Sequence, residues 1–345
     1  MVSELTHKNE SNKSRHLPFR LFFLLCFIGN SFLSAQPFSS RHFEIEKLDD
    51  GVWAAIAKIG GHAICNAGII DLGEETLIFD PFMTPEAAED LKKAAMELTG
   101  HAVKYVVNSH YHFDHISGDQ VFENAILIST TRTRELIAQN QPGEIEFGKT
   151  GASKRLADIN AANITGMSNQ AIEEHEMWKG YYEAYVSSGS VLHVMLPTLL
   201  VDHELTIMGS KQNVRCITLG AGHTESDLFL YLPEKKILFL GDLLFIKNHP
   251  WMKDGNVDHW IISLDSIKMM DSKMIVPGHG PVGSKSDIDI MENYFKQILE
   301  TALAYKQKGM SPEQDESLSS PANYYTWFLS MFYKYNVIYA YGLLH

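Results

Sequence analysis

The sequence predicts an α/β fold, two sheets packed face to face and flanked by helices, with a helical insertion at residues 131–190. Three observations lead there. A meander of short apolar runs opens the body of the chain, strand-like and helix-like segments then alternate, and the same order resumes after a polar, helix-favouring interruption.

Residues 51–57, 63–70 and 76–80 are apolar runs separated by Gly60-Gly61, Asp71-Leu72-Gly73 and Glu74-Glu75, the turn material of a strand meander. Thr84 suits the cap of a helix over 85–98, which carries Glu86, Glu89 and Asp90 early and closes at Gly100. Residues 103–108 and 125–128 read as buried strands with a short helix between them. Inside the insertion, 132–138 and 171–185 read as helices joined by a Gly/Ser/Asn-rich stretch. Strands resume at 199–201, 204–208, 214–219, 228–232 and 237–240, the last two joined by Pro233-Glu234-Lys235-Lys236. A helix over 258–270, a strand at 274–276 and a helix over 286–308 complete the domain, which spans 36–310. After Ser311 a linker leads to an aromatic tail, 324–345, suited to packing on the domain, to a membrane or partner surface, or to a non-native terminus.

Lys13, Arg15 and Arg20 precede an apolar run, 21–28, that leads to Ser34-Ala35. This is the layout of a secretory signal peptide over residues 1–35. The run is too short to span a bilayer, so the expected product is periplasmic or secreted, with no stable membrane span after cleavage. Cleavage leaves 25 basic and 40 acidic residues, a net charge of −15 with His neutral. Such a body repels phosphate backbones; a small molecule, rather than nucleic acid, is the expected partner, and nothing in the sequence sets an oligomeric state. Cys65 and Cys216 survive cleavage, free to pair in an oxidising compartment or to pack as small hydrophobes.

The chemistry concentrates at strand ends. Ser109-His110-Tyr111-His112-Phe113-Asp114-His115 sets three imidazoles and a carboxylate within six residues, directly after an apolar strand. Imidazole is the commonest zinc donor and carboxylate its harder complement, so such a loop is a metal cradle. His223 in Gly222-His223-Thr224, Asp242 in Gly241-Asp242 and His279 in Pro277-Gly278-His279-Gly280 share that placement, each on a Gly-bearing loop where the backbone can approach an ion closely. The remaining histidines, His62, His175, His193, His203 and His259 among them, read as surface or structural residues.

The order His-x-His-x-Asp-His, Gly-His-Thr, Gly-Asp and Pro-Gly-His-Gly resembles the metallo-β-lactamase superfamily, over residues 43–308. The resemblance implies a four-layer αβ/βα sandwich and two metal ions, zinc with iron or manganese as alternatives. It assigns His110, His112 and His223 to one ion, Asp114, His115 and His279 to the other, Asp242 as the bridge, and Asp80 as support behind the ligands. Two cations about 3.5–4 Å apart lower the pKa of a shared water and yield a bridging hydroxide for attack on a carbonyl. Asp114 would orient it and pass a proton to the leaving group.

The resemblance leaves the substrate open among lactones, esters, thioesters and β-lactams. Class B β-lactamases carry Cys or Ser where Asp242 stands, and the bridging Asp looks more like thioesterases and lactonases. Export argues against a cytosolic glutathione thioester. Trp178 and Tyr181 of the insertion, together with Tyr182 and Tyr185, either cap the cleft or merely pack their helix; His249 and Trp251, just after the Asp242 loop, are further candidate walls. The alternatives to this hydrolase are a β-lactamase proper, an iron-dependent sulfur oxygenase and a non-catalytic metal-binding protein.

Overall fold

Short, nearly continuous apolar strands of this kind have two faces to bury, and the chain stacks them in two sheets. The computed structural model describes residues 38–344; the expected signal peptide lies outside them. In the first sheet β1 (Phe43–Asp49), β2 (Val52–Ala57), β3 (Ala67–Asp71) and β4 (Thr76–Phe79) form the antiparallel meander. From β4 the sheet continues in parallel through β5 (Val103–Val107), β6 (Ile126–Ser129) and the two-residue β7 (Leu199–Leu200). Parallel neighbours need crossovers. These are α1 (Pro85–Thr99), the short α2 (Phe113–Ile116), and the insertion helices α3 (Thr131–Thr150), α4 (Ala152–Asn160) and α5 (Asn169–Ser188). As expected, the Thr84 side chain caps α1 by accepting from Ala87 N, and Gly100 ends the helix in the left-handed region at φ 75°.

The second sheet runs in the order β12-β11-β10-β9-β8, comprising β8 (Glu204–Met208), β9 (Asn213–Gly220), β10 (Asp227–Leu232), β11 (Ile237–Phe245) and β12 (Met274–His279). Only β12 is parallel to its neighbour, reached through α6 (Val257–Lys268). The long α7 (Lys285–Gln307) and α8 (Met331–Leu343) follow.

Between the sheets, Val52, Ile70, Leu77 and Phe79 meet Cys216, Leu228, Leu230 and Phe239. On the outer face of the first sheet, Ile69, Ile78 and Val106 pack on Ala87, Leu91 and Ala94 of α1. On that of the second, Leu238, Leu240 and Ile275 pack on Leu264, Met291, Phe295 and Val337 of α6, α7 and α8. The result is the four-layer αβ/βα sandwich. Full burial of each such Leu, Ile or Phe contributes roughly 1.5–3 kcal/mol, so this core dominates what holds the layers together.

Three elements differ from their expected extents. The first insertion helix, expected to end near 138, runs as α3 to Thr150 through Pro142. Tertiary packing outweighs the missing proline donor: Ile145 and Gly148 are buried, and a Cβ on Gly148 would come within 3.1 Å of Tyr185 O on α5. Strand β11 does not stop at Leu240, because a register shift at Gly241, in the left-handed region at φ 54°, lets it continue to Phe245 opposite His279. The aromatic tail is packed: Tyr333, Asn336, Val337 and Ala340 of α8 are buried, and residues from Phe38 onward form one unit that includes it. Among the described residues no helix is long and apolar enough to cross a membrane, and Cys65 and Cys216 are both buried and unpaired.

Candidate metal centre

All seven expected ligands converge at one end of the sandwich. One donor atom each from His110, His112, His223 and Asp242 lies within 4.8 Å of the others, and the same holds for Asp114, His115 and His279. Asp242 joins the two groups. Its Oδ2 lies 3.2 Å from His223 Nε2 and 3.8 Å from His110 Nε2, while its Oδ1 lies 3.1 Å from His115 Nε2 and 3.3 Å from His279 Nε2. Asp114 Oδ2 faces His279 Nε2 at 3.4 Å and His115 Nε2 at 3.6 Å. Asp242 sits inside β11 rather than after it, turned into the site by the shift at Gly241.

These residues fit a pair of cations. His110 Nε2, His115 Nε2 and Asp242 Oδ1 are buried without a well-aligned hydrogen bond, a costly state unless something else satisfies them. Four ligands at 2.0–2.1 Å around a tetrahedral zinc lie about 3.3 Å apart, close to the separations found here. The glycines keep the space clear: a Cβ on Gly278 would stand 1.9 Å from Asp242 Oδ1, and one on Gly241 2.6 Å from Ser109 Cβ.

Behind the donors stands a supporting layer. Asp80, at φ 51°, accepts from Ser109 N at 2.7 Å and holds His115 Nδ1 at 2.8 Å. Ser109 Oγ lies 2.8 Å from His110 Nδ1, and Asp254 Oδ2 lies 3.2 Å from His112 Nε2. Asp227 accepts from Thr224 N and Oγ1 and so fixes the His223 loop; burial pushes its carboxyl up to about 6. Cys65 Sγ donates to the Asp114 carbonyl at 3.1 Å. Ser109, Cys65, Asp227 and Asp254 were not anticipated. Ser109 adjoins the His motif and was legible in principle, whereas Asp254, more than a hundred residues from His112, has no local signal.

The electrostatics divide the donors. Burial, the largest influence on each, disfavours charge on His110 and His223 and holds both below the ordinary imidazole range. Burial opposes charge on His115 and His279 as well, but the acidic groups around them, Asp114 and Asp242 among them, prevail and hold both above it. Burial likewise disfavours charge on Asp114 and Asp242, yet the imidazoles facing them keep both carboxyls ionised.

The outer candidates separate. The expectation that His249 walls the pocket is corrected: it is fully buried, Nδ1 3.0 Å from Tyr294 Oη, and its ring is covered by Trp327 and Tyr333 from the tail. Trp251 lies nearer the metal donors, its Nε1 donating to Asp254 Oδ2 at 2.8 Å. Trp178 and Tyr181 pack edge to face at 5.6 Å on α5, and Tyr181 Oη lies 3.3 Å from Tyr185 Oη.

Comparison with known proteins agrees with this geometry. The profile of the Metallo-beta-lactamase superfamily matches residues 60–158 and 159–279. The chain is 23% identical over 311 residues to a metallo-beta-lactamase type 2 of Pseudomonas aeruginosa, across 87% of this chain and 98% of that protein. It is 20% identical over 260 residues to a linear primary-alkylsulfatase of Pseudomonas sp. (strain ATCC 19151), across 71% of this chain and 48% of that protein. Among solved structures, a metallo-beta-lactamase from Pontibacter korlensis superposes with a TM-score of 0.53 at 20% identity, over 73% of this chain and 97% of the other. With the family profile matched over more than half its length, and its His and Asp side chains gathered as a metal centre requires, this chain belongs to the metallo-beta-lactamase superfamily.

Proposed function

We propose that the protein is an exported, dinuclear zinc hydrolase that attacks a carbonyl carbon, in a lactone, ester, thioester or β-lactam. The observation that carries this reading is the Asp242 carboxylate, whose two oxygens face two separate groups of donors. His110, His112 and His223 would hold one ion, Asp114, His115 and His279 the other, with Asp242 between them. Bound there, the pair supplies a nucleophile from water near neutral pH and polarises the carbonyl oxygen.

The chain's own residues do the rest. Asp80, Ser109 and Asp254 each fix one imidazole ring through the nitrogen that faces away from the centre, which sets its tautomer and direction. Asp114 Oδ2, kept ionised beside His279, is the group placed to take a proton from the attacking water and return it to the leaving atom. Export is supported by the charged and apolar pattern of residues 1–35.

A second reading, hydrolysis of β-lactam antibiotics, draws on the Pseudomonas aeruginosa relative and its name, matched over nearly all of that protein. The deciding experiment is a panel of β-lactams, lactones, aryl esters and thioesters assayed with the zinc-replete protein. Turnover of at least one class supports the hydrolase. No turnover, with the protein as isolated holding one iron and taking up oxygen, would replace it with an oxygenase; no stoichiometric metal in the isolated protein, and none taken up on adding zinc, would leave a non-catalytic binding protein.

A further inference from the structure

Beside the metal donors stands a set of half-buried aromatic rings from three distant parts of the chain. Trp251 lies on the loop after β11, Trp178 on α5 and Phe332 on α8. The Trp251 and Phe332 rings are 5.1 Å apart, Trp178 and Phe332 5.9 Å, and the exposed Tyr335 continues the row 6.3 Å from Trp251. The row touches the site on two sides. Trp251 shares Asp254 with His112, and Trp178 leads through Tyr181 and Tyr185 to Phe113, which stacks on Tyr185 at 4.8 Å next to Asp114.

The row is also fastened from behind. Glu174 of α5 accepts from Ser330 N and Oγ, and Gln170 donates to the Tyr325 carbonyl, tying the insertion to the tail. Asn336 donates to the Pro250 carbonyl, and Tyr339 donates to the Gly255 carbonyl, so α8 braces the loop that carries Trp251 and Asp254. A rigid apolar surface abutting a reaction centre is the arrangement that binds the unreactive part of a substrate. Two acidic groups lie beside the row, and one basic group, Arg155, acts on Tyr182, which stacks on Trp178 at 6.3 Å. Asp254 lies on one side, and on the other Glu144 accepts from Tyr185 Oη. Neither has a lysine or arginine within ion-pair distance among the described residues.

Resting on the hydrolase reading, we infer that Trp178, Trp251 and Phe332 seat the apolar arm of the substrate, and that the substrate class is an uncharged ester or lactone bearing an alkyl or aryl group. The family profile ends at residue 279, so the tail contributes a specificity determinant from outside the matched region.

The test uses the zinc-replete full chain with three nitrophenyl esters: the acetate, the hexanoate and the mono-ester of adipic acid, which matches the hexanoate in length but ends in a carboxylate. The wild type is expected to favour hexanoate over both others in kcat/KM. Phe332→Ala and Trp178→Ala should each lower the hexanoate-to-acetate ratio by about 10-fold or more, mainly through KM, with Phe332→Leu recovering part of it. A merely structural role would lower both esters together and leave the ratio unchanged, and preference for the adipate ester would refute the charge argument; either result overturns the inference. Should the wild type cleave none of the three, the aromatic seat is tested separately by fluorescence titration with the neutral probe N-phenyl-1-naphthylamine. Binding weakened about tenfold in both alanine variants supports the seat, and equal binding overturns it.

Discussion

The metal centre and the aromatic row beside it are held by opposite means. Three of the imidazoles are fixed by hydrogen bonds from behind, His115 by Asp80, His110 by Ser109 and His112 by Asp254. The aromatic row is held by ring contacts between α5, α8 and a loop, and by backbone carbonyls bound from Gln170 and Asn336. Hydrogen bonds to charged groups fix direction to a fraction of an ångström, whereas ring packing fixes a surface and tolerates substitution. Damage to the first region should therefore cost reactivity, and damage to the second should cost selectivity or stability.

The sharpest way to expose that division is chelation, which should abolish turnover completely, with added zinc restoring it; turnover indifferent to a chelator would contradict a metal role. Next, Asp114→Asn should keep the fold by circular dichroism yet lower kcat/KM by about 10²–10⁴-fold, the range of a general acid/base. A supporting carboxylate should matter less. Asp254→Asn, assayed by competition with a colorimetric chelator, should weaken zinc binding by roughly 10–100-fold, and an affinity equal to wild type would show that His112 needs no second partner.

The aromatic tail is read through stability rather than through activity or metal binding. Burial holds His249 down at about 4, while an unfolded His titrates near 6.5. The folded state thus favours neutral His249, and its contribution is complete above about pH 6.5 and lost as pH falls toward 4, roughly 3 kcal/mol in all. Urea unfolding from pH 7 to pH 4 should show a shallower loss of stability in His249→Gln than in wild type; identical slopes would mean that His249 does not carry this dependence.

The same contrast explains what the sequence could reveal. The donors lie on short local motifs after apolar strands, so the loops of His110, His223 and His279 and the helix capped by Thr84 were legible from spacing and residue type alone. The helix through Pro142 was not, since local propensity opposed it and burial against α5 decided it. The fate of His249 was hidden for a related reason: Trp327 and Tyr333, which cover it, lie about eighty residues downstream in a tail whose packing no local pattern specifies. Asp254 was missed because its meaning comes only from His112, across a contact that the fold makes.

One measurement bears most directly on the shared carboxylate: elemental analysis of zinc bound per chain in the wild type and in Asp242→Ala after dialysis against metal-free buffer. Two equivalents in the wild type, falling to one or fewer in the variant, is the expected result. A wild type that retains a single equivalent, or a variant that retains two, would contradict the account.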